Sequence, residues 1–217
     1  MTHRLPCQLD HIVIGARSLD EGRQFVGDLM GEAPREGGRH AAMGTHNALL
    51  GLGDGVYLEI IAIDPEGEAP QWPRWFSLDH DVTKEKLQRG PQLLTWVVRT
   101  DRIDRLPQLD AYADADVKPM SRGSLRWQFA FSPDGRCFAD GILPHVIQWD
   151  TDIHPAEALA GGRCRLSTLV ATLPDDQAVR ETLSAMDLLG VIDCRTDPGQ
   201  APVLTAEFTT PRGIVRL

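Results

Sequence analysis

Apolar positions along the chain fall into short β-branched runs separated by one-sided helical patterns, and that order occurs twice. The run LDHIVI from Leu9 to Ile14, bounded by Gly15, predicts a strand even though Asp10 and His11 interrupt it. Ser18 followed by Glu21 forms a capping box, and Phe25, Val26, Leu29 and Met30 then repeat at helical spacing until Gly31 ends the pattern. A polar, Gly-rich stretch from Glu36 to His40 follows and reads as a loop. HNALLGL and VYLEIIAI then flank Asp54-Gly55, a pair that supplies the positive φ angles of a tight hairpin. The segment from Pro65 to Gly90 has no sustained period and predicts a connection, with a helical turn after Asp81.

The order then starts again. Leu93 to Val98 predicts a strand and Asp104 to Ala113 a helix, and LRWQFAF and FADGILPHVIQW flank a second Asp-Gly pair at Asp134-Gly135. Placing His11 on Trp96, Glu59 on His145 and Asp54 on Asp134 gives nearly the same offset each time, as a duplication requires. A shorter unit closes the chain: a strand CRLSTLVAT, a helix from Asp175 to Leu189, and strands LTAEFTT and GIVRL. The expected architecture is therefore α+β. Tandem βαβββ modules at 1–65 and 91–152, joined by a connection at 66–90, form a curved mixed sheet around a shared cup. A partial βαββ module at 160–217 packs on the outside of that body or across a subunit interface.

Composition narrows the function classes. With 217 residues, 42% of them hydrophobic, the chain is long enough for a sizeable core. Cys7, Cys137, Cys164 and Cys194 have no regular spacing, which predicts reduced thiols in a cytoplasmic protein and neither a zinc knuckle nor a disulfide framework. A formal charge of -9 without a basic stretch argues against nucleic acid, and the absence of a long apolar run argues against a membrane. The motifs GxSxG, GxxxxGK[ST], HExxH and a strand-borne GxGxxG are absent, which removes serine hydrolase, NTPase and Rossmann readings.

Glu59 is the most informative residue. A carboxylate in so apolar a strand must be solvated, paired or bound to a cation to escape a desolvation cost of several kcal/mol. It shares a strand face with Tyr57, which should line a cavity together with Asn47 of the preceding strand. His11 and His145 are also strand-borne. In a cup they could converge with Glu59 on a divalent cation, His46 replacing or supplementing His11. Such buried groups also serve as structural hydrogen-bonding partners. Trp96 and Trp127 fit either core packing or the wall of an apolar pocket, and Arg122, in the loop before Trp127, could hold a carboxylate or phosphate. Trp72, Trp75 and Trp149 read as packing, and His40, His80 and His154 as surface residues.

The motifs LDHIVIG, GGRH, GTHNALLGL and YLEIIAID, and more weakly SRG and LRWQF, resemble the glyoxalase-like branch of the vicinal-oxygen-chelate superfamily. The resemblance implies a divalent metal (Zn, Ni, Mn, Co or Fe) held by strand residues and acting as Lewis acid on neighbouring substrate oxygens. It places His11, Glu59 and His145 at ligand positions and Trp96 where a His is common. The expected function is a metal-dependent lyase or isomerase with Glu59 at the reacting centre. The alternatives are a metal-free sequestration protein and, third, an extradiol-type dioxygenase. A small-molecule ligand and a homodimer are the expected partners.

Overall fold

The computed structural model describes residues 4–217. Its main sheet has eight strands: β1 (Gln8–Gly15), β2 (Arg35–His40), β3 (Thr45–Gly53), β4 (Val56–Ile63), β5 (Gln92–Arg99), β6 (Asp116–Arg122), β7 (Leu125–Phe131) and β8 (His145–Trp149). They lie in the order β2-β3-β4-β1-β5-β8-β7-β6. Read from its two edges inward the sheet is the same twice, 2-3-4-1 and 6-7-8-5. In each half the first and last strands pair in parallel, and β1 and β5 join the halves antiparallel.

Helix α1 (Leu19–Met30) starts on Ser18, whose hydroxyl accepts from the Glu21 amide, and stops at Gly31 in the left-handed region. It buries Gly22, Val26 and Met30 against the outer face of the sheet. The connection after β4 carries α2 (Asp81–Gln88). The C-terminal unit is a second sheet, β10-β9-β11-β12, built from β9 (Arg165–Leu173), β10 (Asp193–Thr196), β11 (Val203–Thr210) and β12 (Gly213–Arg216), with α3 (Gln177–Ala185) crossing between β9 and β10. Leu169, Ala171, Leu183 and Phe208 of this unit share one hydrophobic layer with Ile12, Leu58, Ile60 and Trp96 of the main sheet. The unit therefore caps the convex face. The concave face keeps its own layer, in which Val13, Ile61, Val97, Trp127, Phe129 and Ile147 meet Trp75, Phe76 and Leu78 of the connection.

Several expectations change. The Gly-rich stretch is strand β2 and not a loop, because Gly37 and Gly38 pass where a side chain would collide with Asn47 and Arg122. Arg122 ends β6 instead of lying in a loop, and Arg122 pairs with Leu125 across a tight turn at Gly123. The helix predicted over Asp104–Ala113 is two short 3₁₀ pieces, Ile103–Gln108 and Asp110–Tyr112. Pro107 removes the amide a longer α-helix would need. Only His145–Trp149 of the predicted FADGILPHVIQW strand is extended, and Phe138–Gly141 is a turn in which Ala139 and Asp140 take left-handed backbone angles. α3 is shorter than expected, and β10 was not anticipated.

Candidate functional site

Register fixes which side chains share the concave face. His11 pairs with Tyr57, Val13 with Glu59, and Asn47 with Ile61, so His11, Asn47, Tyr57 and Glu59 all project into the cup. Between Leu9 and His11 the β1–β5 ladder slips by one residue. The resulting bulge leaves Asp10 unpaired and lets its carboxylate reach its neighbour's ring. Its Oδ1 accepts from His11 Nδ1 at 2.7 Å, and Oδ2 accepts from Trp149 Nε1 at 2.9 Å and His154 Nε2 at 3.0 Å. Asp10 is fully buried.

On its other edge, His11 Nε2 faces Glu59 Oε2 at 3.5 Å, while Glu59 Oε1 accepts from Asn47 Nδ2 at 2.5 Å. Asn47 Oδ1 accepts from Arg122 Nη1 at 2.8 Å. Arg122 crosses from the far edge strand β6 and so ties the two edges of the sheet together over Gly38. The same Nη1 lies 3.3 Å from His40 Nε2, and Asn47 Nδ2 lies 3.5 Å from it. Because those two neighbours are donors, Nε2 of His40 is the acceptor and Nδ1 carries the proton toward Thr45 Oγ1 at 3.2 Å. These groups line a cavity of about 30 Å³ walled by Trp75, Phe76, Trp127, Phe129 and Trp149.

Electrostatics divides the two histidines. Burial opposes a charge on His11, but hydrogen bonds and charges from Asp10 and Glu59 outweigh it and raise the imidazole to about 9. Burial likewise opposes the Glu59 carboxylate, yet His11 and Asn47 hold it at about 2. His40, with Arg122 beside it and only Glu59 in its favour, is pushed down to about 4 by burial. At neutral pH the site therefore contains a cationic His11 between two carboxylates and a neutral His40 beside a guanidinium.

The sequence-predicted site residues divide. His11, Asn47, Tyr57, Glu59, Arg122 and Trp127 all line the cavity. Trp96 does not. It pairs with Ile12, points to the convex layer and donates its indole N–H to Ile142 O at 2.8 Å. The register also revises the symmetry: Val13 pairs with Glu59 and Val97 with His145, so the residue equivalent to His11 is Thr95, not Trp96. His46 alternates with Asn47 and lies on the opposite face, next to Ala48. His145 is on the concave face but outside the cavity lining. Its Nδ1 bonds Ala130 O at 3.2 Å, and its Nε2 is buried among Phe76, Phe129 and Phe138 with no hydrogen-bond partner among the described residues.

His40, Asp10, Trp75, Phe76 and Trp149 are site residues that sequence reasoning missed. Paired glycines ahead of His40 were the available signal, since they leave space for Asn47 and Arg122. His154, expected at the surface, is only partly exposed and bonds Asp10.

The donor set can be tested against a divalent ion. His11 Nε2 and Glu59 Oε2 are spaced as two adjacent ligands, each about 2.1 Å from one ion, would be. No third donor completes the set: among the described residues no three His, Cys, Asp or Glu side chains come together. The remaining neighbours are an amide N–H and the Arg122 guanidinium, which repels a cation. The residues present do not fit a resident divalent ion.

A search of curated proteins finds no match. Among solved structures, the chain is similar to a hypothetical protein from Staphylococcus aureus, with a TM-score of 0.59 and 16% identity over 97% of this chain and 84% of that one. It is also similar to methylmalonyl-CoA epimerase from Mycobacterium tuberculosis, with a TM-score of 0.42 and 18% identity over 69% of this chain and 91% of that one. A variant of the Streptomyces coelicolor epimerase in complex with 2-nitronate-propionyl-CoA gives a TM-score of 0.42 and 18% identity over 69% and 97%. At 16% identity the first of these likenesses speaks to the fold alone, and the two with a TM-score of 0.42 add nothing to it. Among the described residues no helix is long and apolar enough to cross a membrane. The model of the glyoxalase-like domain matches residues 9–186, so the chain belongs to the glyoxalase-like domain family.

Proposed function

We propose that this protein is a small-molecule lyase or isomerase that moves a proton on an anionic substrate with adjacent oxygens, and that it does so with its own side chains. Family membership supports a role in small-molecule metabolism or binding. One observation carries the finer reading: the buried chain of contacts Arg122–Asn47–Glu59–His11–Asp10 presents an anion holder, a carboxylate base and a cationic acid to one cavity.

Each group has a role its geometry suits. Arg122 offers its unused guanidinium N–H groups to a substrate carboxylate or oxyanion. In the resting site Glu59 is a weak base, because His11 and Asn47 both stabilise its charge. A substrate oxygen that takes over the Asn47 amide N–H removes one of those supports and raises the basicity of Glu59. Glu59 then accepts the proton from the carbon next to the carbonyl, and His11, protonated and backed by Asp10, donates its Nε2 hydrogen bond to the developing enolate oxygen. Return of the proton to the same carbon, its other face or its neighbour sets the product. The test is deuterium incorporation from D2O into a panel of small 2-oxo and 2-hydroxy carboxylates, followed by proton NMR. Exchange that Glu59→Gln abolishes supports the proposal. Tight binding without exchange, unaltered in Glu59→Gln, would identify a sequestration protein instead.

A second reading adds a divalent ion, favoured by the 3.5 Å separation of His11 Nε2 and Glu59 Oε2. It requires a further ligand from the substrate or from a rearranged side chain. Elemental analysis of the native protein beside Glu59→Ala decides it: a stoichiometric metal lost in the variant would replace the metal-free reading.

A further inference from the structure

We propose that Phe76 is a specificity-determining gate that sets the length of the pocket, and that displacing its ring joins His145 to the cavity as the polar group at its far end. The inference rests on the reading that the cup takes a small molecule, and it begins from a mismatch of size. The cavity of about 30 Å³ holds about one water, whereas organic ligands occupy pockets of about 300–1,000 Å³. The cleft is open on one side, so a ligand of that size either extends out of its mouth or displaces part of the wall, and the wall has one part built to move. Most of the wall is sheet, held by hydrogen bonds on both sides. Trp75 and Phe76 instead belong to the irregular connection between β4 and α2.

Phe76 is the strained part of that connection. It has φ +56 and Ser77 φ +59, two consecutive non-glycine residues in the left-handed region, which L side chains disfavour. Anchors on either side hold the segment in place. Arg74 donates from its backbone and its guanidinium to Asp79, and the Ser77 amide donates to Gly135 O at 2.9 Å. The strain is therefore held in place by the contacts on either side of it, as strained residues at functional positions are.

Behind the ring stands a polar atom with no partner. Phe76 lines the cavity and meets the His145 imidazole edge-on, with centroids 5.0 Å apart. His145 is 1% exposed, and its Nε2 has no hydrogen-bond partner among the described residues. A polar atom left unpaired at that depth is destabilising unless something comes to satisfy it. His11 pairs with Val97 and Val97 with His145, which puts the two imidazoles in one row of the concave face, two strand spacings or about 10 Å apart. With the ring withdrawn, the pocket runs from Arg122 and Glu59 past Ile147 to His145. It then suits an extended ligand that is anionic at one end and hydrogen-bonding at the other.

The experiment is acylation of histidines by diethyl pyrocarbonate near pH 7, with the rate at His145 read by peptide mass spectrometry. Phe76→Ala should label His145 at least ten times faster than the wild type. Phe138→Ala should not: Phe138 touches the same imidazole but packs with Tyr112 and does not line the cavity. Phe76→Leu, which keeps more of the packing volume, should give an intermediate rate and decides the matter if Phe76→Ala does not fold. Equal rates in the wild type and the Phe76 variants, or equal acceleration by Phe138→Ala, would overturn the gate. Labelling needs no substrate, so a failure of the proton-transfer reading in the deuterium assay remains separate from a failure here.

Discussion

The two halves of the main sheet share a strand order and differ in what they present to the cup. The first half offers His11, Asn47, Tyr57 and Glu59; the second offers Trp127, Phe129, Phe131 and Ile147, with His145 sealed among rings. At the equivalent last-strand position a carboxylate in one half answers an imidazole in the other. At the first-strand position His11 answers Thr95, whose hydroxyl is turned to Gly141 O at 3.3 Å. A duplicated backbone thus supplies the cup twice, while the charged machinery stands in one half and the apolar wall in the other. Arg122 is the exception, a charge contributed by the second half that reaches the first across the seam.

The sharpest way to break this comparison is to remove the carboxylate. Glu59→Gln should lower proton exchange by about a thousandfold or more, general-base catalysis combined with the loss of charge that orients His11. An equal loss from a substitution confined to the aromatic half, such as Phe131→Leu, would show that the chemistry is not divided as described. Next in size is Asp10→Ala. It leaves His11 buried with one counter-charge and takes the acceptor from Trp149 and His154. A cost of about 3–5 kcal/mol in urea denaturation is expected, as for a broken buried pair, together with a fall of the His11 pKa from about 9 in NMR titration.

Arg122→Lys tests the seam. A lysine keeps the charge but not the fork that meets Asn47 and a ligand together, and a loss of about 10- to 100-fold in kcat/KM is expected. Unchanged kinetics would remove Arg122 from substrate binding.

Stability against pH should separate the charged histidine of the cup from the two neutral ones. His40 and His145 have folded pKa values of about 4, below the ordinary histidine value, because burial disfavours their charge. The unfolded chain therefore binds more protons, and stability should fall as pH drops from about 6.5 toward 4. His11 is raised to about 9, so its contribution is complete below about 6.5 and is lost as pH climbs through 9. Thermal denaturation across this range should show an acid limb that His145→Phe reduces and an alkaline limb that it leaves alone. The smallest effect is that of His145→Phe at pH 7. A ring of similar volume in an aromatic cage loses the bond to Ala130 O but also removes the unpaired Nε2, and these opposed effects should change stability by less than about 1 kcal/mol.

Much of this was legible because local chemistry and tertiary demand coincide. Ser18 and Gly31 bound α1 as predicted, and Asp54-Gly55 turns β3 into β4. A carboxylate inside VYLEIIAI had to be solvated, paired or bound to a cation, and Glu59 is paired. Positions that depend on register were not legible. Side chains alternate across a strand, so a one-residue difference in alignment sends a residue to the opposite face. Trp96 was lost from the pocket in this way, and Thr95 took the place opposite His11. His40 read as a surface residue because a Gly-rich stretch looks like a loop until another strand is seen to need the space.

The sequence by itself determined the strand-helix-strand order, its repetition, and that His11 and Glu59 are polar groups in apolar strands. Periodicity and capping are local properties, set within a few residues of each position. Only the tertiary structure decided that β2 and β6 meet so that Arg122 reaches Asn47, that a bulge turns Asp10 toward His11, and that Phe76 stands between the cavity and His145. Those contacts join residues far apart in the chain. They depend on sheet curvature and ladder register, which no short window of sequence specifies.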